Sequence, residues 1–242
     1  MPGYKNGLIG IVVAGALFSG AADAGTVTPS LNGSVVVSEG STTNVNWTFN
    51  DTYTNNGDGT FTYQGVNGNQ SVWAFEWDIT VNPDPLISAM FAITNNTAST
   101  KHFDLLFTLP VGSPFGPPAV KSGSLAASFQ DLNNSGSATL SNIDWNGRID
   151  GSNAMSLFSG DFTCGGAGCI GNIFPASDGP LSSSGVNTSI GIHLAFDLTA
   201  GDKASFTTSF QVEPVVVPIP AAVWLFGSGL LGLAALARRR KS

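Results

Sequence analysis

Positive charge is nearly absent from the body of this chain. Between residues 25 and 214 only Lys101, Lys121, Arg148 and Lys203 stand against fifteen carboxylates, a net charge of −11, and the remaining basic residues sit near the two ends. A body of that sign repels a phosphate backbone, which excludes nucleic acid as a partner. Cysteine is reduced to Cys164 and Cys169 in Cys-Gly-Gly-Ala-Gly-Cys. Two thiols are too few to ligate a metal alone, and the spacing is not the Cys-x-x-Cys of a redox pair. There is no Gly-x-Ser-x-Gly elbow, no repeat of fixed period, and no helical period between residues 25 and 214. In place of charge, Asn, Ser, Thr, Gly and Gln supply the polar surface.

Apolar runs are confined to the termini. Near the start, Lys5 precedes an apolar run over 8–18 and then Ala22-Asp23-Ala24. This is the pattern of a secretory signal peptide (1–24) with an Ala-x-Ala cleavage site. At the other end come Val217-Pro218-Ile219-Pro220-Ala221, an uncharged stretch over 221–237, and Arg238, Arg239, Arg240 and Lys241. As a helix, those seventeen residues span roughly 25 Å at 1.5 Å per residue, enough for a thin bilayer. The four cations would hold the C-terminus in the cytoplasm and place everything before Pro218 outside.

That order of Pro-x-Pro element, apolar run and basic end resembles the PEP-CTERM sorting signal in its Val-Pro-Leu-Pro-Ala variant, with Ile219 at the variable position. The likeness covers about the last 25 residues. It implies an exosortase as partner, a membrane-embedded transpeptidase-like enzyme that cuts near the Pro-x-Pro element. It also implies a Gram-negative setting in which exopolysaccharide, biofilm or floc is made. The chain thus divides into a signal peptide (1–24), an ectodomain (25–214) and a sorting tail (215–242).

The ectodomain reads as strands and turns. Val45, Trp47 and Phe49 alternate with polar residues, and Asn67-Gly68 marks a hairpin. Trp73, Phe75, Trp77, Ile79 and Val81 then occupy one face of a ten-residue strand, opposite Glu76 and Asp78. Two further alternating runs, Ile87 to Ile93 and Phe103 to Leu109, extend this into an antiparallel meander. The Pro/Gly-rich stretch 110–118 carries the chain to a second sheet. Beyond it lie weaker strands near 124–129, 138–143 and 154–158, and a Gly/Ser/Pro-rich surface loop over 159–186. Two strong strands around Ile190 to Leu198 and Phe206 to Val212 close the domain. Nine to eleven short strands predict an all-β fold, an antiparallel two-sheet β-sandwich of jelly-roll or immunoglobulin-like type.

Cys164 and Cys169 are expected to form a disulfide, since export takes them to an oxidising compartment. His102 and His193 lie opposite their strands' apolar faces and read as solvated residues without a positioned partner. Glu76 and Asp78, about 7 Å apart along the strand, read as a solvated pair; calcium ligation or glycosidase chemistry is the alternative. The Asp131-x-Asn133-x-Ser135-Gly136 run resembles the start of a calcium loop, but Asn142 stands where its bidentate Glu belongs. Turn chemistry accounts for it equally well, and for the loop from Asn55 to Asp58. No catalytic residue, cofactor or metal is expected. The reading is an exported, non-enzymatic component of the cell envelope or extracellular matrix, anchored in the inner membrane by its C-terminal helix until processed. Its alternatives are a carbohydrate-binding adhesin for extracellular polysaccharide, with Tyr53, Tyr63 and Trp145 as exposed aromatics on a concave sheet, and a polysaccharide hydrolase.

Overall fold

The structure, a computed structural model, describes residues 30–40, 42–49, 52–67, 71–215 and Phe226, with 42–49 described by backbone alone. Thirteen strands run through them: β1 (Asn32–Glu39), β2 (Thr42–Phe49), β3 (Tyr53–Asn55), β4 (Phe61–Asn67), β5 (Trp73–Asn82), β6 (Leu86–Asn95), β7 (Lys101–Pro110), β8 (Ala119–Asp131), β9 (Ser137–Ile149), β10 (Ser152–Gly165), β11 (Ile170–Ser183), β12 (Ser189–Leu198) and β13 (Asp202–Pro214). They build two antiparallel sheets, β10-β9-β12-β7-β1-β2 and β11-β8-β13-β6-β5-β4-β3. The all-β, two-sheet sandwich expected from the sequence is the fold. The signal peptide, the sorting motif at 217–221 and the basic end at 238–241 lie outside the described residues. Among the described residues no helix is long and apolar enough to cross a membrane.

Alternation sets the layers. In β5 every second residue is buried, with Phe75, Ile79 and Val81 fully enclosed; β6, β7 and β13 repeat the pattern, and β12 adds buried Gly191 and Ala195 on its other face. The inner faces meet in an aromatic stack across the sandwich. Phe91 lies 5.1 Å from Phe206 within its own sheet and 5.6 Å from Phe107 of the other, while Phe196 lies 4.8 Å from Phe206. Each buried Phe contributes about 1.5–3 kcal/mol through the apolar area it removes from water, so this stack helps tie the sheets together.

Three expectations are corrected. The meander holds for β4, β5 and β6, but β7 crosses to the six-stranded sheet, where it lies between β12 and β1. An alternating strand specifies an inner face and not which sheet receives it. The crossing is held by Asn95, fully buried, whose Nδ2 donates to the carbonyls of Ser99, Leu198 and Thr199. Secondly, 159–186 is not a loop: it contains the end of β10 and the whole of β11, edge strands of opposite sheets. Register shifts at Asn153/Met155, Ser156/Phe158 and Gly160/Phe162 in β10, and at Ile173/Ala176 and Asp178/Leu181 in β11, break the alternation that marks a strand. Thirdly, the strands are longer and more numerous than nine to eleven. The Cys164–Cys169 disulfide is present and closes the β10–β11 connection.

Candidate functional site

The outer face of the seven-stranded sheet forms an open depression. Two adjacent rows of outward side chains cross it in register: Val66, Glu76, Ala92, Ser205, Ser128 and Asn172 in one, Gln64, Asp78, Met90, Thr207 and Ala126 in the other. At about 4.8 Å per strand, the six strands from β4 to β11 give a trough roughly 24 Å long. Its floor of Ala92, Ala126, Ser128, Ser205 and Thr207 is made of small side chains, and larger ones stand at its sides, so an open groove of about 970 Å³ results.

Phe174 forms one wall and is 86% exposed. It sits in the register shift between Ile173 and Ala176, next to Pro175. Proline has no N–H for the ladder, so the strand bulges there and turns the ring outward. Val66 at the opposite end on β4, and Met90 midway along on β6, are also exposed. Gln64 donates through Nε2 to Asp78 Oδ2 at 2.7 Å, and Lys203 lies 3.6 Å from Glu76. Glu76 and Asp78 are therefore solvent-facing, as the sequence implied, but they are also the acidic margin of a groove. Hydroxyl, amide and carboxylate groups alternating with apolar patches are the lining that a hydroxyl-rich ring with one apolar face requires.

Two of the three aromatic candidates are in the core. Trp145 is fully buried and donates from Nε1 to Thr208 Oγ1 at 2.7 Å; Tyr63 is 2% exposed, its hydroxyl accepting from the Leu31 amide. Both follow the buried parity of long strands whose extent turn signals alone did not reveal. Tyr53 is at the surface, on edge strand β3, packed edge-on against Phe61. The exposed aromatic that does line the groove, Phe174, lies in the stretch read as a loop; the Phe-Pro pair within it was the available signal.

The histidines do have partners, against expectation. His102 Nδ1 lies 2.6 Å from Asp197 Oδ1, and His193 Nε2 lies 3.2 Å from Asp104 Oδ1. These pairs join neighbouring strands β7 and β12, a proximity invisible in a sequence where the partners are 89 and 95 residues apart. The hydrogen bond to Asp104 raises the His193 pKa, and the same bond lowers that of Asp104. Asn142 donates to Asp197 and Asn146 to Asp144, extending a polar ribbon across the outer face of the six-stranded sheet.

Turn hydrogen bonds engage both loop candidates. The Asp131 carboxylate accepts from the amides of Ser135, Gly136 and Gly168, tying the β8–β9 turn to the disulfide loop. Asp58 accepts from Thr60 N and Oγ1, and Asn55 from Gly57 N. No group of three or more His, Cys, Asp or Glu side chains able to hold a metal occurs among the described residues.

No family model matches the chain. No curated protein matches it. Among solved structures, one similar chain is a cyclase from Fischerella sp. TAU, crystallised with 4-(1H-indol-3-yl)butan-2-one; it is 10% identical, with 68% of this chain and 90% of that chain covered and a TM-score of 0.27. That chain is an enzyme, and the expectation of a non-enzymatic protein is withdrawn. A likeness this distant assigns no activity to this chain.

Proposed function

We propose that this chain is an exported cell-envelope or extracellular-matrix protein whose sandwich holds an extended polysaccharide in the groove across its seven-stranded sheet. The groove carries the reading. It is open at the surface and roughly 24 Å long by strand spacing, lined by Gln64, Glu76, Asp78, Asn172 and Phe174. A long trough with polar sides and a projecting ring suits a polymer better than a compact ligand. The strand orders β6-β13-β8-β11 and β7-β12-β9-β10 favour the jelly-roll type over the immunoglobulin-like one, because two interleaved four-stranded sheets of that order make a jelly roll.

Delivery rests on the ends of the chain. Residues 1–24 direct export, and the tail with Val217, Pro218, Ile219, Pro220 and Ala221 is the address read by an exosortase. The apolar run holds the protein in the inner membrane, with Arg238 to Lys241 inside, until it is processed. The disulfide accords with an oxidising destination.

A glycan array probed with the full-length protein in mild detergent tests the groove. Binding to one or more polysaccharides, weakened about tenfold or more by Phe174→Ala, is the expected result, since loss of an exposed aromatic contact costs about 1–2 kcal/mol. Absence of saturable binding refutes the groove reading. In a host with the cognate exosortase, Pro218→Ala with Pro220→Ala leaves the protein full-length and membrane-retained. Release as efficient as that of the unaltered chain removes the sorting reading.

A further inference from the structure

The groove across the seven-stranded sheet is uncharged for most of its length and acidic near one end. Of the side chains that line it among the described residues, Glu76 and Asp78 alone carry charge. They are two residues apart on β5, so both project from the outer face, about 7 Å from each other along the strand. Each belongs to one of the two rows that cross the trough. Phe174 stands on β11, four strands away, roughly 19 Å at the spacing of neighbouring strands. A ligand that fills the trough therefore meets a projecting ring at one end and a pair of carboxylates towards the other.

What surrounds the two carboxylates decides which ligands they admit. Glu76 is exposed and lies 3.6 Å from Lys203, which sits one row beyond the groove, opposite Thr94, and does not line it. Asp78 accepts a neutral hydrogen bond from Gln64 Nε2 at 2.7 Å and has no lysine, arginine or histidine partner among the described residues. One lysine thus serves two carboxylates, in a body whose net charge between residues 25 and 214 is −11. A field of that sign, concentrated by a concave surface, repels an anionic polymer and draws a cationic one.

We infer, resting on the reading of this groove as a polysaccharide site, that its occupant is a cationic amino-sugar polymer, with ammonium groups at Glu76 and Asp78 and the apolar face of a sugar ring against Phe174. Such a polymer matches the lining along the whole trough. Each ring presents an apolar face of C–H groups to an aromatic side chain, and its hydroxyls meet Ser128, Asn172, Ser205 and Thr207. Its ammonium groups supply the charge that Asp78 lacks and that Glu76 shares only with Lys203. A polymer of uronic acids has the same ring faces and hydroxyls, and the sign of its charge alone sets it against the acidic end.

Calorimetric titration of the full-length protein in mild detergent, at a mildly acidic pH where sugar amines are protonated, compares three hexasaccharides: one of glucosamine, its N-acetylated and therefore neutral counterpart, and one of galacturonate. The glucosamine hexamer should bind about fivefold more tightly than the neutral one, and the galacturonate hexamer most weakly. Asp78→Asn should reduce the preference for glucosamine at least about twofold, with the affinity for the neutral hexamer and the melting temperature little changed. Asp84→Asn, which removes the same charge from the exposed turn between β5 and β6, should change neither affinity. The inference is overturned if the neutral hexamer binds as tightly as the glucosamine one, if galacturonate binds more tightly than either with or without added calcium, or if Asp84→Asn acts as strongly as Asp78→Asn. In those cases a loss of affinity on Phe174→Ala for whichever hexamer binds leaves the groove reading standing. If no hexamer binds, the inference falls, and the glycan array judges the groove by itself.

Discussion

Asp150 offers a quantitative test of how the six-stranded sheet is joined to the loop before β12. It opens the Asp150-Gly151 turn between β9 and β10, where both residues have positive φ, 50° and 79°. Its carboxylate accepts from the backbone amides of Asn187, Thr188 and Ser189, from Asn187 Nδ2 and from Thr188 Oγ1. Burial alone would raise the Asp150 pKa, but these donors outweigh it and lower the value from 3.8 to about 2. At 1.36 kcal/mol per tenfold change in proton affinity, the charge-dependent part is at most about 2.4 kcal/mol. Solvent screening of a partly exposed carboxylate reduces this to about 1 kcal/mol. A depressed pKa gives stability that is present above 3.8 and lost as pH falls through about 2. Asp150→Asn keeps a residue that tolerates positive φ while removing the charge. Urea denaturation should therefore show it less stable by about 1 kcal/mol at pH 7, with the difference shrinking as the pH falls below 3.8. Equal stability at pH 7, or a difference unchanged at pH 2, refutes the reasoning.

The His193–Asp104 pair should contribute fully only between pH 3.8 and 6.5, because Asp104 is lowered from the first value and His193 raised from the second. Melting temperatures of His193→Gln and the unaltered chain should differ more at pH 5 than at pH 9, since the histidine's contribution is lost as pH rises through its raised pKa. In β9, a Cβ on Gly147 would stand 2.5 Å from ring carbons of Phe210. Gly147→Ala should cost about 1–3 kcal/mol by overpacking, measured by denaturant midpoint. Replacing both Cys164 and Cys169 by Ser should cost about 2 kcal/mol, since the closed ring is short; a change in the β-sheet circular dichroism would show that the bridge holds more than its own loop.

Where the chain alternates cleanly, the sequence was legible. Trp73 to Asn82 is the clearest case, and the residues on its apolar side are all buried. Where bulges interrupt the period, as in β10 and β11, composition pointed to a loop although the backbone continues its ladder. One signal there went unused: Asp-Gly at 150–151 is a strong two-residue hairpin marker, and it predicts the β9–β10 pairing on either side of it. The groove was legible only at its acidic margin, Glu76 and Asp78. Its wall at Phe174 depends on a bulge, and no local pattern distinguishes a ring turned outward by a bulge from one turned inward.

Local alternation and turn chemistry thus determined that the chain is built of antiparallel strands, with one face of each strand apolar and Cys164 and Cys169 near enough to bond. The tertiary structure alone decided which sheet each strand joins, because burial rewards an apolar face equally on either side of the sandwich. From that choice follow the pairing of His102 with Asp197 and of His193 with Asp104, and the burial of Trp145. Each brings together strands distant in sequence, and side chains on different strands meet only after the sheet order has set which strands are neighbours.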